Sequence, residues 1–108
     1  MMKYDLDINK ETLAANIKRL INQTYKLLPN REEGLDWKAP LQTIVEEFAG
    51  MDRLLVDQHE TFFCLLCKLE GLFTLTEESD FFQYRRTIFE CLSLANSIMK
   101  NVNRDNGD

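Results

Sequence analysis

Apolar residues recur every three or four positions in the first part of the chain, which is the spacing of an amphipathic helix. The stripe comprises Ala14, Ile17, Ile21, Tyr25 and Leu28, widened by Leu13, Leu20 and Leu27. Asn9 is a candidate N-cap, and Pro29 is expected to end the run, because proline inside a helix removes a backbone hydrogen bond. The pattern therefore predicts a first helix over residues 9–28.

The segment PNREEGLDWKAP, residues 29–40, has a proline at each end, an internal glycine and several charges. This composition is typical of a loop. Its Trp37 is the chain's single tryptophan. We expect this side chain to fold back and cover one end of the core.

A heptad pattern runs through the middle of the chain. One set of positions, seven apart, holds Leu41, Phe48, Leu55, Phe62 and Leu69, and the companion set three residues later holds Ile44, Met51, Leu65 and Leu72. Only Gln58 interrupts it, and no Gly or Pro lies between Met51 and Glu70. One continuous helix over residues 39–75 is therefore the favoured prediction. The alternative is a break near Asp57, which could cap a new helix with Glu60 at its third position.

The last apolar stripe follows the segment TLTEES. Thr76 or Ser79 could cap its helix, and the acidic residues around them favour the positive end of the helix dipole. The stripe holds Phe81, Tyr84, Ile88, Cys91, Ala95, Ile98 and Val102, with Leu92 and Met99 beside it. The sequence therefore predicts a long final helix that ends in a polar tail.

These runs predict an all-α fold, and no stretch shows the alternation of a strand. We expect an antiparallel helical bundle of three long helices, or of four if the middle helix breaks near Asp57. A length of 108 residues with 44% hydrophobic content fits a single helical domain over residues 1–108. Its ends, residues 1–8 and 103–108, are predicted to fray.

Residues 60–75 are apolar on almost every side of their predicted helix. A helix of this kind is either central in its domain or faces two partners at once. Two other long helices cannot cover all of this surface, so the pattern predicts a homodimer. The expected interface contains Phe63, Leu66, Phe82 and Phe89.

Cys64 and Cys67 have the spacing of a zinc-binding or redox motif. Both lie in mid-helix among Phe and Leu, and only Cys91 and His59 could complete a zinc site. We therefore predict three buried, reduced thiols, with no metal and no cofactor, because free cysteine behaves as a small core residue.

Acidic residues, Asp52 among them, gather around His59 in the middle of the chain. The set Glu46, Glu47, Asp57 and Glu60 is predicted to form a solvated face that could dock a basic partner. The stretch EEFAGMD lacks the further acidic residue one turn on that the paired acidic motifs of the all-helical nucleotide pyrophosphohydrolases would place, so it does not match that family. A metal-dependent all-α enzyme, nucleotide pyrophosphohydrolase-like in its use of the acidic helix face, is the alternative function.

The net charge of −5 and the pI near 4.9 make nucleic acid an unlikely partner, because phosphate binding needs a surplus of Lys and Arg. A third hypothesis is a nucleic-acid-associated regulator that would contact nucleic acid through the basic pairs Lys18–Arg19 and Arg85–Arg86. The sequence shows no membrane span, no signal peptide, no phosphate-binding glycine cluster and no nucleophile beside His59. We expect a cytoplasmic interaction or adaptor protein, homodimeric and not an enzyme, in the style of bacterial or phage accessory proteins.

Overall fold

The computed structural model describes residues 10–107, and for residues 10, 56 and 103–107 it describes the backbone alone. This range contains four α-helices: α1 Lys10–Glu32, α2 Lys38–Asp52, α3 His59–Gly71 and α4 Phe81–Gly107. Short 3₁₀ turns, Val56–Gln58 and Glu78–Asp80, precede α3 and α4, and a third, Leu72–Thr74, follows α3. The described residues contain no strand. The predicted all-α bundle is confirmed in its four-helix form.

The helices form an antiparallel ring in which α1 lies beside α2 and α4, and α3 lies beside the same two helices. Near the end of α1, Arg31 contacts Tyr84 near the start of α4. Gln58, just before α3, meets Asn101 late in α4. The resulting bundle measures 48 × 21 × 20 Å.

The core is built from the predicted stripes of all four helices. Its fully buried side chains include Ile17, Leu20, Leu27, Leu41, Ile44, Phe48, Phe62, Leu65, Leu69, Leu72, Tyr84 and Ile88. Tyr25 departs from the prediction, because it is 54% exposed. The buried face of α1 is centred on Leu13, Ile17, Leu20 and Leu27, which brings Thr24 inward instead of Tyr25. The Thr24 hydroxyl donates a hydrogen bond to the Leu20 carbonyl at 2.7 Å.

The first helix does not end at Pro29, as predicted, but continues to Glu32. It ends where Gly34 adopts a left-handed conformation with φ of 76°. The Leu35 amide donates to the Asn30 carbonyl at 2.8 Å, and the Gly34 amide donates to the Arg31 carbonyl at 3.1 Å. This pair of bonds is a Schellman motif, which satisfies the last carbonyls of the helix. The helix thus ends at this motif and not at Pro29, which lies inside it. The predicted cap, Asn9, lies outside the described residues.

The favoured prediction of one continuous helix over residues 39–75 is wrong. The chain leaves the α-helix after Asp52 and begins α3 at His59, with Gln58 at the N-cap position. A helix of 37 residues would be about 55 Å long, well beyond what its neighbours could cover. The break instead folds the two heptad runs against each other, with the Phe48 and Phe62 ring centroids 6.4 Å apart.

The start of α4 also differs from the prediction, because neither Thr76 nor Ser79 caps it. Glu77 precedes a 3₁₀ turn that leads into the helix, and its backbone amide donates to the Asp80 carboxylate at 3.1 Å. The helix then runs to Gly107, so the backbone of residues 103–107 belongs to it. The predicted fraying of residues 1–8 lies outside the described residues, as does Asp108.

One end of the bundle is closed by Arg31. Its guanidinium carbon lies 4.3 Å from the ring centroid of Tyr84, 5.1 Å from that of Trp37 and 5.8 Å from that of Phe81. The same guanidinium donates hydrogen bonds to the carbonyls of Leu75 and of Glu77. Trp37 is half-buried against the core and meets Tyr84 edge to face at 5.0 Å, which confirms that it covers one end.

Candidate interaction surface

Two phenylalanine rings stand on the side of α4 that faces away from the core. Phe82 and Phe89 lie one heptad apart, and their side chains are 80% and 44% exposed. Since Tyr84, Ile88 and Cys91 occupy the buried side of the helix, positions 82 and 89 point into solvent.

These rings line an open surface groove of about 570 Å³. Its other lining residues are Gln83, Arg85, Arg86, Glu90 and Ser93. All seven belong to α4, so the groove is a depression along one helix and not a cavity between helices. We refer to Phe82, Arg85, Arg86 and Phe89 as the α4 face.

The two arginines of the α4 face have different contacts. The Arg85 guanidinium lies over the Phe89 ring, 5.2 Å from its centroid. Arg86 is 4.0 Å from Glu90. Glu90 in turn accepts a hydrogen bond from Lys68 of α3 at 3.0 Å, and this bond raises the pKa of Lys68. Glu90 is therefore shared between two helices, and its closer partner is Lys68.

A second apolar surface lies on the outer side of α3. Phe63 is 60% exposed, and Cys64 and Cys67 are exposed beside it. The prediction of three buried thiols is thus wrong for these two and confirmed for Cys91. The helix buries only the side that carries Phe62, Leu65 and Leu69, so positions 63 and 67 face outward. We refer to Phe63, Cys64 and Cys67 as the α3 face.

The four residues predicted to form one interface are therefore divided between two helices. Phe82 and Phe89 line the groove on α4, whereas Phe63 and Leu66 do not belong to it. Leu66 is half-buried and packs against the core.

The predicted acidic face is divided by the break between α2 and α3. Glu47 accepts a hydrogen bond from Arg19 of α1 at 2.5 Å, which raises the pKa of Arg19, and Glu46 accepts one from Gln42 at 3.0 Å. Asp57 and Glu60 are exposed on the other side of the break.

His59 lies beside an acidic residue outside the predicted set. Its Nδ1 atom is 2.9 Å from the Asp52 carboxylate. Among the described side chains, no three His, Cys, Asp or Glu come together as a group that could hold a metal ion.

The sequence assigned the aromatic and basic residues of α4 to different functions. It placed Phe82 and Phe89 in a dimer interface, and it placed Arg85 and Arg86 with Lys18 and Arg19 in a nucleic-acid surface. The structure brings the two phenylalanines and the two arginines of α4 together, because residues that are three, four and seven positions apart share one side of a helix. Arg19, in contrast, pairs with α2. The spacing of 82, 85, 86 and 89 is the signal that could have revealed this face.

Comparisons with protein-family models, with curated proteins and with solved structures found no significant match. Over residues 10–107, none of the helices combines the length and the hydropathy that crossing a membrane requires.

Proposed function

We propose that this protein is a small intracellular interaction or adaptor protein that docks on another polypeptide through the α4 face. The observation that carries this proposal is the pair of exposed rings of Phe82 and Phe89, one heptad apart on one groove. Aromatic and arginine side chains are enriched at protein interfaces, and arginine is also common among the residues that contribute most to binding energy. The α4 face presents two of each within two turns of helix.

Replacing both rings should remove binding without unfolding the protein. We expect Phe82→Ser/Phe89→Ser to keep the wild-type helix content and a melting temperature within a few degrees, because both side chains face solvent. Affinity capture from extracts of the native cells, quantified by mass spectrometry, should show proteins bound to wild type and lost from the double variant.

Tyr25→Ser provides the matched control, because Tyr25 is an exposed aromatic residue on α1, outside the α4 face. This variant should capture the same proteins as wild type. Equal capture by the double variant would show that the α4 face is not the docking surface.

We further propose that the chain forms a homodimer through the α3 face. Residues 61–67, TFFCLLC, carry no charged side chain, so a copy of this surface can pack on it across a two-fold axis. A copy of the α4 face would instead bring four guanidinium groups together. The uncharged centre of the α3 face therefore favours self-association through α3 over self-association through α4.

The mass in solution tests this dimer. Light scattering behind a sizing column should give twice 12.7 kDa for wild type at micromolar concentration, and Phe63→Asp should shift the mass to that of one chain. Phe82→Asp, which places the same charge on α4, should leave the dimer intact.

Salt concentration gives a second test of this dimer. Glu60 and Glu70 flank the α3 face, so glutamates of the two copies would lie near each other whether the two α3 helices pack parallel or antiparallel. Because salt screens this repulsion, added salt should favour the dimer. A wild-type mass of one chain at all concentrations and salt levels would show the dimer proposal to be wrong.

A further inference from the structure

We propose that the occupant of the α4 face is an acidic, amphipathic helical segment of a partner protein. This inference rests on the proposed function of the α4 face as a docking surface. It adds the chemistry of what docks there.

The α4 face is a basic surface on an acidic chain. The groove is lined by two arginines and one glutamate, while the chain as a whole has a net charge of −5. The negative charge of Glu90 is offset by Lys68, which donates to it at 3.0 Å. An acidic segment is therefore attracted to this surface and repelled by most of the remainder of the chain. Such complementarity selects the partner and orients it.

Both guanidinium groups are available to a partner's carboxylates. Arg85 lies over the Phe89 ring, which restrains the side chain while its N–H edge stays free for a bidentate contact. Arg86 is 4.0 Å from Glu90, which is too far for a hydrogen bond, and its side chain is 75% exposed. Ion pairs with this exposure contribute little, so a partner's carboxylate can replace Glu90 at small cost.

The two rings set the spacing of the partner's apolar residues. Phe82 and Phe89 are separated by seven residues, or about 10 Å along the helix axis. An amphipathic helix places apolar side chains at three, four and seven residue intervals on one side, which matches this distance. Since Arg85 and Arg86 lie between the rings, the acidic residues are expected between or beside the partner's apolar positions.

Two other occupants fit less well. A second copy of the chain would bring Arg85 and Arg86 against their own counterparts. Nucleic acid could stack on the rings and pair with the arginines, but its phosphate charges continue beyond these two arginines over a chain with a net charge of −5, whereas a helical segment can confine its carboxylates to the positions that meet Arg85 and Arg86. Both become outcomes of the test.

The test is a selection of helical peptides by the full-length protein. A phage library of random peptides of about 16 residues, long enough for four turns of helix, is selected against three baits. These are wild type, Arg85→Glu/Arg86→Glu and Phe82→Ser/Phe89→Ser. Wild type should enrich peptides with Asp or Glu beside apolar residues at helical spacing. The charge-reversed bait should enrich Lys and Arg at the corresponding positions.

Affinities of the selected peptides then measure the charge contribution. For an acidic peptide selected by wild type, the Kd should rise at least about tenfold with Arg85→Glu/Arg86→Glu, as expected for the loss of charged hydrogen bonds. Replacing the peptide's acidic residues with lysine should restore binding to the charge-reversed variant and weaken binding to wild type.

The outcomes separate this inference from the proposed function. If wild type enriches apolar peptides without acidic residues, and Phe82→Ser/Phe89→Ser loses them, the docking surface stands and the acidic occupant is wrong. If the Phe82→Ser/Phe89→Ser bait enriches the same peptides as wild type, or wild type enriches none, both are wrong. A labelled single-stranded DNA that binds wild type more tightly than the acidic peptides, or a dimer that Phe82→Asp dissociates, also overturns the acidic partner.

Discussion

Cys64 and Cys67 are expected to react with a thiol reagent such as DTNB far faster than Cys91 in the native protein at pH 8. Burial raises the pKa of the Cys91 thiol to about 12, and Lys68 lowers it only in part. At pH 8 such a thiol is ionised to only about one part in 10⁴. Because the thiolate is the attacking species and the core encloses the Cys91 side chain, Cys91 should react slowly, whereas the exposed Cys64 and Cys67 are open to the reagent.

The kinetics should show two rapid thiols and one slow thiol per chain. They are best measured at a dilution where light scattering gives the mass of one chain, because Cys64 and Cys67 belong to the proposed dimer surface. Cys91→Ala should keep the full rapid amplitude, and Cys64→Ser/Cys67→Ser should remove it. Denatured protein should expose all three thiols at one rate. A native Cys91 that labels with the rapid phase would contradict the burial seen in the structure.

Folding stability is expected to fall steeply above pH 9. Burial raises the pKa of Cys91 from 9.0 to about 12, and it raises that of Tyr84 from 10.0 to about 12, against a small lowering by Arg31. At pH values between the pKa of a group in the unfolded chain and its pKa in the folded chain, the unfolded chain releases a proton that the folded chain retains. Rising pH therefore favours unfolding. The stabilisation is complete below about pH 9 and is lost as the pH approaches 12.

The size of this loss is large for a domain of this length. While one group is protonated only in the folded state, the free energy of unfolding falls by about 1.4 kcal/mol per pH unit. The two groups together remove several kcal/mol, against a total stability of about 5–15 kcal/mol. Alkaline solution should therefore bring the protein close to unfolding.

Urea unfolding at a series of pH values between 8 and 11 measures this slope. Cys91→Ala and Tyr84→Phe should each flatten it, and the double variant should flatten it further. Tyr25→Phe alters an exposed tyrosine and should leave the slope unchanged. Tyr84→Phe should not weaken the protein at neutral pH, because no group in the described residues forms a hydrogen bond with the buried Tyr84 hydroxyl. An unchanged slope in the double variant would contradict the raised pKa values.

The heptad pattern predicted which residues of the middle segment are buried, but not where its helix breaks. Leu41, Phe48, Phe62 and Leu69 are all buried, as the pattern requires. The apolar residues keep their spacing of seven on both sides of Leu55, so the same positions are expected to be buried in a straight helix and in a helical hairpin. What separates them is how much surface the neighbouring helices can cover, which is a tertiary property.

The sequence indicated which phenylalanines are exposed, but not that they lie on two separate faces, one on α3 and one on α4. Phe63, Phe82 and Phe89 were expected at an interface, and all three are exposed in the single chain. Cys64 and Cys67 were expected to be buried because the whole of residues 60–75 was assumed to be covered. Since α3 packs only through the side that carries Phe62 and Leu65, the apolar composition of its other side gave no information about burial.

The hydrogen bond from the Asn101 side-chain amide to the Gln58 side-chain carbonyl oxygen, 3.1 Å long, favours one alignment of α4 along α3. Heptad stripes alone would also match after a slide of one heptad, about 10 Å, because apolar residues would again meet apolar residues. Such a slide would separate these two partly or fully buried amides, at a cost of about 1–3 kcal/mol for each unpaired group. Together with the hydrogen bond from Lys68 to Glu90, the amide pair thereby holds one longitudinal offset between the α3 and α4 faces. A partner bound at the α4 face and a second copy bound at the α3 face would then lie at one constant distance from each other along the bundle.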